Sequence, residues 1–369
     1  MAHRLTAAQQ FTPQGQILDV RAYGQGNVHD TFLVTLEGGL NKNFILQRLN
    51  TRVFPRPELI MQNLRVFTAH MRGRLQRETL PPGRRWEVPE VLLTRSGQDH
   101  WLDTAGSFWR ALSFIADAQA QDTIRDLKHA GEVGYALGRF HHLLSALPPA
   151  SLADTLPGFH LMPGYLRHYD GVNAQKPGKK SPEAEFCRRF VQERRAGAGV
   201  LEEAKAAGQL PLRTIHGDPK VNNVLLDAAS GRAVALVDLD TVKPGLVHYD
   251  LGDCLRSGCN PLGEETADWQ AVRFEPDICR ALLRGYLSQA RDFLTPGDYD
   301  YLFAAIRLLP FELGLRFFTD YLEGNVYFKV RSPEHNLARA LVQFRLTESI
   351  EAQEGAIRGI IKELTEKES

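Results

Sequence analysis

The chain reads as an α+β protein in two lobes, bilobal with a small β-rich N-lobe and a larger, mainly helical C-lobe. Three observations predict this. The first hundred or so residues alternate β-branched and aromatic stretches with Gly- and Asn-rich turns, which is the pattern of strands and hairpins. Beyond residue 119 the apolar spacing lengthens to that of helices. And 369 residues exceed one ordinary domain and suit two cores. The division is placed at 1–116 and 117–369.

The elements follow in order. Residues 17–23 form a strand that runs into the turn Gly24-Gln25-Gly26-Asn27, and 30–36 and 43–49 are the next two strands. Residues 57–70 carry Leu59, Leu64, Val66 and Phe67 on polar ground and predict a helix. Residues 91–94 and 100–103 flank Ser96-Gly97-Gln98-Asp99 and predict a hairpin, with 109–116 as one more strand. A connector near 114–119 leads to a helix over 126–147, spaced by Leu127, Val133, Leu137, Phe140 and Leu144. Residues 171–183, with Lys176, Lys179 and Lys180, read as a solvated loop. Helices are expected over 183–207, 276–291 and 297–321, and one last helix closes the chain. No internal repeat is visible.

Composition excludes several classes. Lys plus Arg equals Asp plus Glu, 44 against 44, so the basic excess of a nonspecific nucleic-acid binder is absent. No apolar run approaches the roughly 18 residues that span a bilayer, and the N-terminus lacks the apolar core of a signal peptide. A cytoplasmic protein with no membrane and no nucleic-acid partner, monomer or homodimer, is the expectation. Cys187, Cys254, Cys259 and Cys279 show no C-x-x-C spacing and read as reduced, buried thiols.

The chemistry is concentrated in residues 215–238. His216-Gly217-Asp218 is followed five residues on by Asn223, and Asp238 comes twenty residues after Asp218. Between them, 224–226 and 233–237 are apolar strands joined by the turn-rich stretch 227–232. Folding that hairpin brings Asn223 beside Asp238, with Asp218 one turn of loop earlier. Phosphoryl transfer needs one carboxylate to receive a hydroxyl proton, and an amide and a carboxylate to hold magnesium. Asp218 suits the first task, and Asn223 and Asp238 the second. His216 reads as support for the loop by hydrogen bonding. Asp250 and Asp253 read as bracing groups or helix caps, and Asp240 as a contact behind the metal ligands or to substrate. Gly24 and Gly26 can cover nucleotide phosphates with backbone amides, although most such Gly pairs are plain hairpin turns.

On these motifs the chain resembles the aminoglycoside phosphotransferase and choline kinase superfamily, which is protein-kinase-like in fold. Thr214 to Asn223 and Leu236 to Val242 carry the resemblance, supported by Asp250 to Ser257, Leu46 to Asn50 with Val53-Phe54, and Phe311 to Leu322. Leu239-Asp240-Thr241 and Leu315-Arg316-Phe317 are most similar to the N-acetylhexosamine 1-kinase group. That resemblance implies ATP and Mg²⁺ as cofactors and the anomeric hydroxyl of an N-acetylated hexosamine as acceptor. It also implies Gly24, Gly26, Asn27 and Arg48 at the nucleotide, and Asp218, Arg316, His29 and Tyr327 at the substrate.

Two positions depart from the wider pattern. Where kinases carry a lysine on the third strand, this chain has Gln47-Arg48, and Gln47 supplies no charge. In the Gly-rich turn, Asn27-Val28-His29 exchanges the His and Asn expected from the group. Arg316 has a plain alternative, an i,i+4 ion pair with Asp320. Phe317, Phe318, Tyr321, Tyr327 and Phe328 read first as core, with Tyr327 beyond the helix as a possible platform for a sugar ring. An aminoglycoside or amino-alcohol acceptor stays open, because residues 262–320 hold ten Asp or Glu against six Arg and no Lys, only mildly acidic. A nucleotide-binding regulator without catalysis also stays open on the missing lysine, although it need not keep Asp218, Asn223 and Asp238 together.

Overall fold

The computed structural model describes residues 2–12, 15–24, 28–38, 42–176 and 181–366. It opens with a helix the sequence pattern does not announce, α1 (Ala2–Gln10). Its small apolar face of Ala7 and Ala8, continued by Phe11, covers one side of the first sheet. The strands β1 (Ile17–Ala22), β2 (Asp30–Leu36) and β3 (Asn43–Arg48) form an antiparallel meander as expected.

The helix α2 (Pro57–Leu75) starts on Pro57 and runs five residues past the predicted end. Its buried Asn63 donates to Ala153 O (2.8 Å) and Val242 O (3.0 Å), which pins α2 to the strand that follows the Asp238 turn.

The predicted 91–103 hairpin does not form. The short strands β4 (Val91–Leu92) and β5 (Trp101–Leu102) both pair with β6 (Phe108–Ser113), at different points along it. Thr94 to Gln98 is a tight turn between two strands that lie along the same neighbour, so turn residues alone misled the pairing. The sheet order is β1-β2-β3-β6-β4. Side chains alternate across it. Phe44, Leu46, Trp109 and Ala111 pack toward α1, so Gln47 and Arg110, paired across β3 and β6, point the other way.

β6 ends at Ser113, and the connector delivers β7 (Ala118–Gln119), which adds an edge strand to the central hairpin. Asp126 caps α3 (Leu127–Leu144) by accepting from His129 N at 2.7 Å. The stretch expected as loop is in part helical. Met162–Gln175 forms α4, and α5 (Pro182–Arg194) starts from a Ser181 cap. The predicted 183–207 helix breaks near Gly197 and Gly199 before α6 (Val200–Ala206).

β8 (Arg213–Ile215) leads to the central hairpin β9 (Val224–Asp227) and β10 (Ala233–Leu236), antiparallel with one register shift, as the sequence predicts. β11 (Lys243–Gly245) returns to pair with β8. Then come α7 (Val247–Gly258) and α8 (Pro276–Ala290). The 297–321 segment is two helices, α9 (Pro296–Asp300) and α10 (Leu302–Glu323). The chain closes on two more, α11 (His335–Ala352) and α12 (Glu354–Glu366).

One large apolar cluster joins α2 to α3, α8 and α12. At its centre α3 and α8 meet backbone to backbone. A Cβ on Gly134 would stand 1.9 Å from Leu282 O, so only glycine permits that approach. All four cysteines are buried and free. No helix among the described residues is long and apolar enough to cross a membrane.

Candidate active site

The site lies on the loop between β8 and β9 and on the turn after β10. The loop needs Gly217, at φ +88°. A Cβ there would sit 2.7 Å from Thr241 O, so a side chain would push the loop off the turn that carries Asp238. Asp250, in the first turn of α7, then fixes the loop. Its fully buried carboxylate accepts from His216 N (2.7 Å), Gly217 N (2.8 Å) and His141 Nε2 (2.8 Å). His216 Nδ1 accepts from Asp218 N–H (3.3 Å), so its Nε2 carries the proton donated to Val237 O (3.0 Å). That bond ties the loop to the far strand of the hairpin.

From below, His160 Nε2 donates to Gly217 O (2.7 Å) and Nδ1 to Glu312 (3.0 Å). Burial would lower the His160 pKa, but the Glu312 charge and hydrogen bond outweigh it and raise it.

Asp218 is partly exposed and pairs with Lys220 Nζ at 3.0 Å. Asp218 first, then Glu264 and Asp253 against the opposing cost of burial, hold Lys220 well above the usual lysine range. Asn223 donates its Nδ2 to Asp218 O at 2.7 Å, which leaves its Oδ1 as an oxygen donor. Val237 N bonds Asn223 O at 2.9 Å, so Asn223 and Asp238 stand side by side, as the hairpin predicts.

Asp238 itself sits in the left-handed region (φ 65°, ψ 57°), a strained position for a non-glycine residue. Its side chain is exposed, and it caps nothing. Desolvation first, then repulsion from Asp240 and Asp218, push its carboxyl above the ordinary range. An exposed carboxylate near two others, beside an amide oxygen, is a donor set that suits a hard divalent cation sharing its shell with phosphate and water. Among the described residues no group of three or more His, Cys, Asp or Glu forms an all-protein metal cage.

Behind Asp238 lies a buried network in which Asp240 sits as expected behind the ligand, His29 is committed to Asp240 and Asn50 rather than to substrate, and Arg110 is a member sequence reasoning did not find. Arg110 grips Asp240 through two nitrogens at 2.5 and 2.8 Å, and Gln47 Oε1 accepts from Arg110 Nε (2.9 Å) and from its NH2 group (2.7 Å). His29 Nδ1 accepts from Asn50 N (3.0 Å), so Nε2 carries the proton given to Asp240 at 2.7 Å. Burial opposes ionisation of Asp240, but Arg110 and then His29 hold it well below the usual carboxylate range. The signal available was a single Arg in the apolar strand Phe108-Trp109-Arg110-Ala111-Leu112.

The structure does not bring Arg48 to this cluster. It shares the α1 side of the sheet with Trp109, lies over that ring at 5.9 Å, and pairs with Asp30 in solvent. Gly24 takes a positive φ of 74° just past β1. Gly26 and Asn27 lie outside the described residues. Asp253 binds Arg256 Nε at 2.8 Å, while its second oxygen is buried without a partner.

Arg316 and Tyr327 meet in a pocket of about 250 Å³ between residues 156–159, α4, α10 and Tyr327-Phe328. The i,i+4 pair of Arg316 with Asp320 is not made. Asp320 instead accepts from the backbone N–H of Val326, Tyr327 and Phe328 at 2.8–3.0 Å, which shapes the rim. Arg316 lies against the rings of Phe159, Tyr165 and Phe328 at 5.1–5.6 Å. Its nearest carboxylate oxygen, on Glu312, is 3.9 Å away. Burial pushes the Tyr165 hydroxyl beside it up to about 12. Phe317 and Phe318 are core, while Tyr327 is 53% exposed and free to face a ligand.

Solved structures share this architecture. An aminoglycoside phosphotransferase from Alicyclobacillus acidocaldarius superposes with a TM-score of 0.64 at 14% identity, over 97% of this chain and 96% of that one. A microcompartment-associated aminopropanol kinase gives 0.63 at 18% identity, over 95% and 98%. Choline kinase from Cryptosporidium parvum gives 0.57 at 13%, over 95% and 92%. At such identities these likenesses show the fold, which is bilobal and protein-kinase-like. The sequence profile of the phosphotransferase enzyme family matches residues 19–286, nearly three quarters of the chain and the whole of the hairpin site. The chain therefore belongs to that family, as a small-molecule kinase of the aminoglycoside phosphotransferase and choline kinase superfamily.

Proposed function

We propose that this kinase transfers the γ-phosphoryl group of ATP to the anomeric hydroxyl of an N-acetylhexosamine. The observation that carries the choice of acceptor is Arg316. Its guanidinium, 14% exposed and with no hydrogen-bonded carboxylate, lines the pocket between α4 and α10 that this reading gives to the acceptor. Such a group repels an ammonium and seeks a carbonyl or hydroxyl oxygen, as an N-acylated sugar offers. The pocket volume lies just under the roughly 300–1,000 Å³ typical of sites for drug-sized ligands, a size for one ring rather than several. The resemblance of Leu239-Asp240-Thr241 and Leu315-Arg316-Phe317 to the sugar-kinase group agrees.

In this reading residues 1–116 hold the nucleotide, with Gly24 in the turn at its phosphates, and residues 117–369 hold the acceptor. Asp218 orients the acceptor hydroxyl and takes its proton as the oxygen attacks the phosphorus. Asn223 Oδ1 and the Asp238 carboxylate would hold Mg²⁺, which supplies charge neutralisation on the phosphates. Lys220, already at Asp218, places positive charge beside the attacking oxygen. Tyr327 forms an apolar wall for the sugar ring.

An amino-alcohol or aminoglycoside acceptor is the second reading, favoured by Glu323 on the lining of the same pocket. ADP release from pure protein with ATP, Mg²⁺ and separate N-acetylhexosamines, aminoglycosides and amino alcohols decides between them. Turnover with N-acetylhexosamines is expected. Turnover only with the cationic acceptors refutes the first reading.

A further inference from the structure

The kinase-type lysine is missing from β3, yet a cation does reach the cleft side of the sheet. It comes from the neighbouring strand. Arg110 is the cross-strand partner of Gln47, and Gln47 orients it through two hydrogen bonds to one oxygen. Arg110 is 1% exposed and its fork is committed to Asp240, so it is not free to grip a nucleotide phosphate. A buried ion pair with every oxygen satisfied is weak evidence for stability and better explained by a demand for fixed geometry.

What it fixes is the turn that carries Asp238. That turn, Leu239–Thr241, is a single short 3₁₀ step, held at two consecutive residues. Thr241 Oγ donates to His216 O at 2.8 Å, which anchors one residue to the catalytic loop. Asp240 is anchored to the N-lobe twice, by Arg110 on β6 and by His29 at the foot of β2. Thr155 adds a bond to Asp240 O at 2.8 Å. With Asp240 and Thr241 clamped, the strained left-handed backbone of Asp238 is held two residues away from a fixed point.

We infer that Arg110 and His29 are positioning residues. Through the one carboxylate of Asp240 they set the Asp238 oxygens, and so make the strength of metal-assisted nucleotide binding depend on how the β-sheet sits over the hairpin. This rests on the proposed role of Asp238 as metal ligand. Carboxylates and cations behind metal ligands commonly alter metal affinity by about 10- to 100-fold when removed. Lysine at 110 keeps the charge but not the fork, so it is expected to fail as well.

The test uses the full chain and ADP as probe. ADP affinity is measured by calorimetry with and without Mg²⁺ for wild type, Arg110→Lys, Arg110→Met and His29→Gln, alongside thermal unfolding. Wild type is expected to bind ADP more tightly with Mg²⁺. In the folded variants the Mg²⁺ concentration for half-maximal tightening should rise about 10- to 100-fold, with metal-free ADP affinity within about twofold of wild type. Variants that lose thermal stability but keep the wild-type Mg²⁺ dependence show a merely structural role and overturn the inference. Should Arg110→Met not fold, Arg110→Lys and His29→Gln carry the same decision. A wild type indifferent to Mg²⁺ overturns instead the metal assignment beneath it, and the inference with it.

Discussion

Replacing Asp250 by alanine removes one carboxylate that serves three donors at zero exposure. Two of those donors are backbone amides, of His216 and Gly217, with no other acceptor in reach. A buried donor left without a partner costs about 1–3 kcal/mol, so the pair costs about 2–6 kcal/mol, before the loss at His141. Against a total stability of about 5–15 kcal/mol this is a large fraction. Urea unfolding of Asp250→Ala should show a lower midpoint at unchanged slope, since the same surface is exposed on unfolding. Activity should fall further than stability requires, because Asp218 follows Gly217 directly. A loss under about 1 kcal/mol would refute the reasoning, since hydrogen-bonded amides abandoned in the core cannot be that cheap.

Asp218→Asn should lower kcat by about 100- to 10,000-fold, the usual worth of a positioned general base, with ADP affinity nearly unchanged in calorimetry. Loss of ADP binding in that variant would show a ligand to nucleotide rather than a base. Arg316→Met should lower kcat/KM for the acceptor by about 10- to 150-fold, as for a lost hydrogen bond to a charged group, with KM for ATP unmoved in steady-state kinetics. If acceptor kinetics are unchanged, Arg316 only packs on its three rings.

The hairpin site was legible because it is local. Asp218, Asn223 and Asp238 lie within twenty-one residues, and two apolar strands with a turn between them leave few ways to fold. Asp250 was read as a brace from its place in the motif, but which groups it holds, and most of the other residues that keep the site rigid, were not legible. Asp250, His160, Glu312 and Arg110 arrive from distant segments, and no local spacing records that they converge.

Arg48 shows a subtler miss. Strand alternation puts Arg48 on the side of Phe44 and Leu46, and Gln47 on the other, so parity alone separated it from the cleft. The 91–103 hairpin failed because turn residues identify a reversal without naming the strand that will be paired. α1 was missed because its apolar face is mostly alanine, a weak periodic signal.

The most direct test of the central claim is a competition followed by product identification. The protein is given ATP, Mg²⁺ and equal concentrations of an N-acetylhexosamine, kanamycin and ethanolamine, and the phosphorylated products are read by phosphorus and proton NMR. The account predicts one dominant product, the N-acetylhexosamine with phosphate coupled to its anomeric proton. Phosphate on kanamycin or ethanolamine, with the sugar untouched, contradicts it.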